Sequence, residues 1–535
     1  MSVVSVERVL ELREAGELAR ALECAERLVV LQPATVDALH LAGVLHCELE
    51  HYATGLLFLN VVNVTDPSFI DGWLNSARAQ RRLGRSTPAM WSLLRAILLD
   101  PSGFAAVQLA ASAVATLVSE EPIYPFVRHT CQWAVLLQPN SSEALMPIAA
   151  ALVREGQHPS ALDLLGRALS LSPCLVAALS AIAAVFVELG NPAHAARIYG
   201  RAWGIQPENH DFPYWLSLLQ LADGDFVRGW LNYEHRWLAS IGVAQLKECG
   251  ELRSSRPPYQ EGGGLKRVLV WAEQGVGDEI MFGGLLSDFH QRCSKLIVQV
   301  DPRLRNLFAN SFPSIEFVGT DEKVLLERYD EQLSMGSLGR FVRPTKDSFA
   351  GKAGRYLWSS EGLGHRLRQD LSIDNDDCLI GLSWRSANPN NGARRSLPLE
   401  LLLSAFRSEQ VRFLNLQYGA SRDDLSVASQ VTGCHVHCHP AVNLTNDFDG
   451  IAGLIEACNL VISVGNATAH LSGALGKPTW VLLPYAAGWR WMREGSSCPW
   501  YPSVRLFRQR SRGDWRSPVT EAQRAFGVAA FKAWP

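Results

Sequence analysis

Six short proline motifs set a ruler along the first half of this chain. LQP ends at Pro33, TDP at Pro67, LDP at Pro101, LQP at Pro139, LSP at Pro173 and IQP at Pro207, with gaps of 34, 34, 38, 34 and 34 residues. A unit of this length cannot bury its own hydrophobic face, so it must stack on its neighbours. Other positions keep the same phase. Twelve residues before the prolines stand Ala21, Gly55, Ala89, Ala161 and Ala195. Five residues before them stand Ala96, Ala168 and Ala202, and Gly43, Ala77, Ala149 and Ala183 recur elsewhere in the unit. Small residues at fixed phase let two helices cross closely, and a proline ends the second of them. Trp73 and Tyr199 fill large-residue positions of the pattern. The single long gap predicts a four-residue insertion around Glu120 to Phe126.

This pattern resembles the tetratricopeptide repeat (TPR) over about residues 1–240. The resemblance implies a helical solenoid with a groove for an extended protein segment. Trp215 and the run Gly224 to Trp237 predict a final degenerate repeat that caps the array.

Composition narrows the class. The chain has 535 residues, with 50 Lys+Arg against 53 Asp+Glu. A formal net charge of −3 argues against a nucleic-acid binder held by phosphate contacts. Eleven cysteines without a C-x-x-C pair suggest reduced thiols and a cytoplasmic setting. The N-terminal run carries charges throughout and does not read as a signal peptide. Ala168 to Val187 lacks formal charge, but Pro173 divides it, so it predicts two helices of the solenoid and no membrane insertion.

From Gly250 to Lys266 the helical period collapses into a Pro- and Gly-punctuated segment, and we assign residues 241–266 to a linker. Short apolar runs then alternate with helical stretches. Residues 267–273, 295–301, 315–320, 378–384, 412–419, 460–465 and 479–484 read as strands. Such alternation predicts parallel sheets in an α/β architecture. The expected fold class is therefore α + α/β, with two Rossmann-like lobes over 267–375 and 376–515 and a tail or helix over 516–535. Ligands in such sheets sit beyond the carboxyl ends of the strands.

Three motifs lie at predicted strand ends. In the first, Gly275 and Gly277 allow a tight turn, and Asp278 opens a helix as either an N-cap or a general base. The spacing is not G-x-G-x-x-G, which disfavours a dinucleotide. The second carries Arg385, the polar residues Asn388, Asn390 and Asn391, and then Arg394 and Arg395. Arginines converging there suit a diphosphate, or else form a solvated basic loop. In the third, a strand ends at Gly465, and Asn466 and Thr468 open a helix holding His470. Free N–H groups and the helix dipole make such a start an anion site.

In this order the motifs resemble the heptosyltransferase-like glycosyltransferases of the GT-B fold. Joined to TPRs, they resemble bacterial TPR-linked glycosyltransferases, some of which modify flagellin. The resemblance implies Asp278 as catalytic base. It implies Gly275, Gly277, Arg385, Arg395, Gln417, Asn466, Thr468 and His470 as the nucleotide-sugar site. Where that family usually carries an acid, this chain has Gly465.

Trp489 and Trp491 beside Arg490 and Arg493 suit sugar or base stacking, or else a hydrophobic closing loop. Asp447 and Asp449 precede a helix as caps or ribose contacts. The run Cys434 to His439 lacks a second ligand pair with zinc spacing, so no metal is expected. The expected function is transfer of a sugar from a nucleotide-activated donor to Ser or Thr of a TPR-recruited protein, with flagellin suggested by the resemblance. The reaction needs no cofactor beyond the nucleotide-sugar co-substrate. The alternative is a TPR adaptor with a degenerate sugar-binding domain; a transferase for lipid-linked or free glycans is a more distant third.

Overall fold

The computed structural model describes residues 5–100, 132, 135–136, 139–240, 255–262, 264–351, 354–374, 376–386 and 392–526. The insertion near 120–126, Pro101, Asn388, Asn390, Asn391, most of the linker and the last nine residues lie outside the described residues. The chain forms two compact units, Met1–Phe186 and Val187–Pro535.

The first unit is built of TPR-like helical hairpins. Its helices are α1 (Val6–Glu14), α2 (Leu18–Leu31), α3 (Val36–Glu48), α4 (Tyr52–Thr65), α5 (Ile70–Arg82), α6 (Ser86–Leu99), α7 (Ser142–Arg154), α8 (His158–Leu171) and α9 (Val176–Glu188), the last reaching the division. In the first, second and fifth repeats the second helix stops two residues before the ruler proline. The small residues sit where the helices cross. A Cβ on Gly43 would stand 2.8 Å from Leu59 Cγ, and one on Gly55 would stand 2.7 Å from the Gly43 carbonyl oxygen. Ala21, Ala96, Ala161 and Ala168 are fully buried.

A second ruler marks the turn inside each described hairpin. Gly16, Gly84, Gly156, Gly190 and Gly224 all have positive φ, a conformation that spares glycine the Cβ clash. The second repeat has Glu50 at this position, with φ 64°. Ala168 to Val187 contains a break at Pro173 between α8 and α9. Among the described residues no helix is long and apolar enough to cross a membrane.

The second unit begins with α10 (Pro192–Ile205), α11 (Asp211–Ala222) and α12 (Phe226–Tyr233). Two sheets follow. The first has the order β3-β2-β1-β4, with β1 Lys266–Trp271, β2 Cys293–Val300, β3 Glu316–Gly319 and β4 Glu331–Ser334, all pairs parallel. The second has the order β10-β11-β9-β8-β5-β6-β7. Its strands are β5 Cys378–Ser383, β6 Val411–Asn415, β7 Val436–His437, β8 Leu460–Val464, β9 Thr479–Leu483, β10 Ser497–Cys498 and β11 Tyr501–Arg508. Among the described residues only the β10–β11 pair is antiparallel. The central strands β5, β8 and β9 are wholly buried, which suits sheets covered on both faces.

Residues 224–237 do not merely cap a solenoid. Phe226, Trp230 and Tyr233 share one hydrophobic core with Phe282, Phe349, Trp489 and Trp500 of the sheet region. The Trp230 indole donates to the Arg343 carbonyl at 2.8 Å. The buried Arg236 guanidinium makes a two-pronged ion pair with Glu273, at 2.8 and 2.9 Å, and also donates to the Ser334 and Ser337 hydroxyls. The compact division therefore falls well before the composition change near residue 240. The cause is aromatic burial, which the repeat pattern alone does not reveal.

Candidate functional site

The first two motifs and the third meet within the second unit. β1 runs through Glu273 and Gln274 to Gly275, the N-cap of α13 (Val276–Gly283). β8 runs through Gly465 to Asn466, the N-cap of α14 (Ala467–Ala474). The starts of α13 and α14 pack together. A Cβ on Gly277 would stand 3.3 Å from His470 Cδ2 and 3.5 Å from Ala467 Cα. Gly277 thus serves a close helix approach, and a Cβ there would need the His470 ring to give by a few tenths of an ångström.

Asp278 is not the N-cap. Gly275 holds that position, and the Asp278 carboxylate instead forms an ion pair with Arg490. Arg490 also donates to Gln274 Oε1 at 3.3 Å, and its guanidinium lies over the Trp489 ring at 4.9 Å. Burial works against the charge of Arg490, but the carboxylate outweighs it and the pKa stands raised. Arg395 senses the same carboxylate. Burial and the like charge of Arg490 lower its pKa, while Asp278 opposes that shift. One acid thus faces two guanidinium groups, with Gln274 linked onward to the Tyr233 hydroxyl at 2.5 Å.

The remaining predicted residues form the scaffold beneath this group. Asn466 caps its own helix, accepting from the N–H groups of Thr468 and Ala469 at 3.1 and 3.3 Å. Its amide donates to Ser383 Oγ and the Arg385 carbonyl at 2.8 and 3.0 Å, which ties β8 to β5. Two N–H groups expected to meet an anion are therefore already engaged. Gln417 Oε1 accepts from the Arg385 N–H at 2.7 Å and from the Ser383 hydroxyl. The Arg385 guanidinium donates to the Gly419 carbonyl at 2.9 Å and pairs with Asp424 at 3.2 Å. Thr468 is buried, with its hydroxyl 3.5 Å from the Leu416 carbonyl.

His470 is buried, and that burial pushes its pKa down to about 3. Its Nδ1 lies 3.0 Å from the Tyr501 hydroxyl, and its ring stacks on Trp491 at 4.6 Å and 23°. Trp491 also explains the glycine at 465. A Cβ there would stand 2.7 Å from Trp491 Nε1, so the indole takes the space a side chain would need. Trp489 packs edge-on against Trp230, Tyr233 and Trp500. Both tryptophans thus fill the core between the sheets.

Two residues escaped the sequence reading. Arg490 was noted only as a neighbour of stacking tryptophans; its role depends on a carboxylate 212 positions away. Glu279 follows Asp278 but turns inward, accepting from the Asp301 N–H at 2.8 Å, and burial raises its pKa to about 7. The pair Asp447 and Asp449 divides its duties: Asp447 caps the helix Phe448–Ala457, and Asp449 binds Ser360. Among the described residues no group of three or more His, Cys, Asp or Glu could hold a metal ion.

The first unit carries a groove of about 490 Å³ lined mainly by α1, α3 and α5. Arg13, Arg78, Arg81 and Arg82 face Glu48 and Asp71 there, and Arg13 pairs with Glu48.

No family model matches the chain. It is 29% identical over 317 residues to Protein FlbA of Caulobacter vibrioides, covering 56% of this chain and 52% of FlbA. The chain thus spans about half the length of the curated relative it matches. Among solved structures, a tetratricopeptide repeat protein from Parabacteroides merdae is 15% identical, with a TM-score of 0.41 over 46% of this chain and 96% of that one. The TPR protein YrrB, described as having an unusual peptide-binding site, is 16% identical, with a TM-score of 0.29 over 35% of this chain and 94% of that one.

Proposed function

We propose that the chain is a GT-B-type protein glycosyltransferase. The observation that carries this reading is Asp278 on the first sheet's helix facing Arg490 and Arg395 from the second. A transferase of this class needs an acid and cationic groups at one cleft. The acid accepts the proton of an acceptor Ser or Thr hydroxyl. That oxygen attacks the anomeric carbon, the bond from that carbon to the phosphate oxygen breaks, and a nucleoside diphosphate departs. The arginines hold its growing negative charge. The helical groove recruits the acceptor segment, and flagellin is the acceptor suggested by family resemblance.

A second reading has its own support. The indole at Gly465 and the self-capped α14 leave fewer groups for a donor. They favour a TPR adaptor that has kept the fold without transfer.

Intact mass spectrometry decides between them. Purified chain is mixed with flagellin and a panel of nucleotide sugars. A discrete sugar-sized gain with wild type, lost with Asp278→Asn, supports the transferase. Nucleotide binding with no gain on any acceptor supports the adaptor.

A further inference from the structure

The second helices of the early repeats carry an apolar row that stays exposed among the described residues. Val30 on α2, Val64 on α4 and Leu98 on α6 hold the same repeat phase, each three residues before a ruler proline. They are 80%, 81% and 71% exposed, and Leu136, in the same phase of the fourth repeat, is 75% exposed. The fifth and sixth repeats have Ser170 and Gly204 there. Burial inside a hairpin cannot explain such a choice, because these side chains touch water in each of the four repeats.

The row widens at α4. Leu57, Val61 and Val64 form one stripe at helical spacing, and Trp91 on α6 repeats the phase of Leu57. All are exposed, Trp91 at 64%. No residue of α4 carries a formal charge, although one whole side of the helix is solvated. A solvated helix face ordinarily carries charged residues. The groove lies on the other side of these hairpins, lined by α1, α3 and α5. The row is therefore separate from the surface assigned to the acceptor.

We infer that this row is the interface between two copies of the chain. Its size argues for a dimer. Val30, Leu57, Val61, Val64, Trp91 and Leu98 are 47–81% exposed, and six such large apolar residues offer a surface on the order of the ~800 Å² each partner gives to a standard specific interface. That exceeds the ~300–600 Å² of the largest patch on a typical monomer. Its regularity argues for self-pairing. A row with one constant spacing has ridges that fit the grooves of an identical row, and a two-fold axis through α4 lays the same patch on itself. The inference is independent of any transferase activity.

Sedimentation velocity on the full chain tests it. Wild type should sediment as a dimer at micromolar concentration. Leu57→Glu with Val64→Glu should raise the dimer dissociation constant by about a hundredfold or more. Both side chains are solvated in the monomer, so circular dichroism should be unchanged. Asn60→Cys, at the centre of α4, should cross-link the chain to its own copy under oxidation beyond the wild-type background. A monomeric wild type, or a dimer that survives the double substitution, would overturn the inference.

Discussion

Arg490 and Asp278, carried by different sheets and 212 residues apart, meet as an ion pair above the start of α14. The acid therefore waits in the grip of a cation that a diphosphate would also attract. On the proposed transferase reading, a ligand that draws Arg490 away would free Asp278 to accept a proton. Arg490→Gln should weaken nucleoside diphosphate binding by about tenfold, the loss of one charge-assisted contact. Arg490→Lys should recover part of it, because the charge returns without the planar fork. Titration calorimetry with uridine and guanosine diphosphates reads this, and equal affinity in all three proteins would remove Arg490 from the site.

Gly465 and Trp491 make a second coupled pair. Gly465→Ala should lower stability by about 1–3 kcal/mol, because a methyl group must displace packed indole. Trp491→Ala should lose stability as well, yet make Gly465→Ala nearly neutral in its background. Denaturant titrations of the four proteins form the cycle. Additive losses would mean that the indole does not explain the glycine.

Glu279 links the region to pH. Its folded pKa of about 7 lies above the ordinary 4.5, so the folded state binds this proton more tightly. Its contribution is fully present below about pH 4.5 and is lost as pH rises through about 7. Glu279→Gln can keep the bond from the Asp301 N–H and has no proton to lose. The variant should therefore gain stability relative to wild type as pH climbs through this window. Parallel melting curves at pH 5 and pH 8 would show no such divergence if Glu279 is ionised at little cost.

Glu50 occupies a turn position held by glycine in five other repeats. A left-handed conformation costs a residue with a Cβ about 1 kcal/mol. Glu50→Gly should raise the unfolding free energy by a little under that, since glycine gives back some entropy. A destabilised variant in thermal melts would show that the Glu50 side chain contributes more than its backbone costs.

The solenoid was legible because its signal is periodic: prolines and small residues recur at one phase and act locally. The turn glycines carried an equally regular signal, masked by Glu50 and by the longer fourth repeat. Seven apolar runs found their strands in the sheets. The strand β4, of four residues with only Leu333 apolar, and β11, with Arg505 between Val504 and Leu506 and Arg508 at its end, did not stand out. The candidate site residues are singled out by motif, but the motifs do not encode partners. Asn466 and Gln417 both hold the main chain of Arg385, a set of partners that no motif spells out. Asp278 read as either a cap or a general base; Gly275 is the cap, and the ion-pair partner of Asp278, Arg490, lies in the loop before β10.

The buried pairing of Arg236 with Glu273 bears on how such a chain could have been assembled. Removing either partner alone strands a charge in the core, at a cost of about 3–5 kcal/mol. A cut or fusion made in the Pro- and Gly-rich stretch after residue 240 would do that to the whole cluster at once. A recombination that swaps one repeat array for another has its tolerant joint upstream, among the hairpins before Val187. The last hairpin would then be inherited with the sheets, and new recognition surfaces would be acquired by changing only what precedes it.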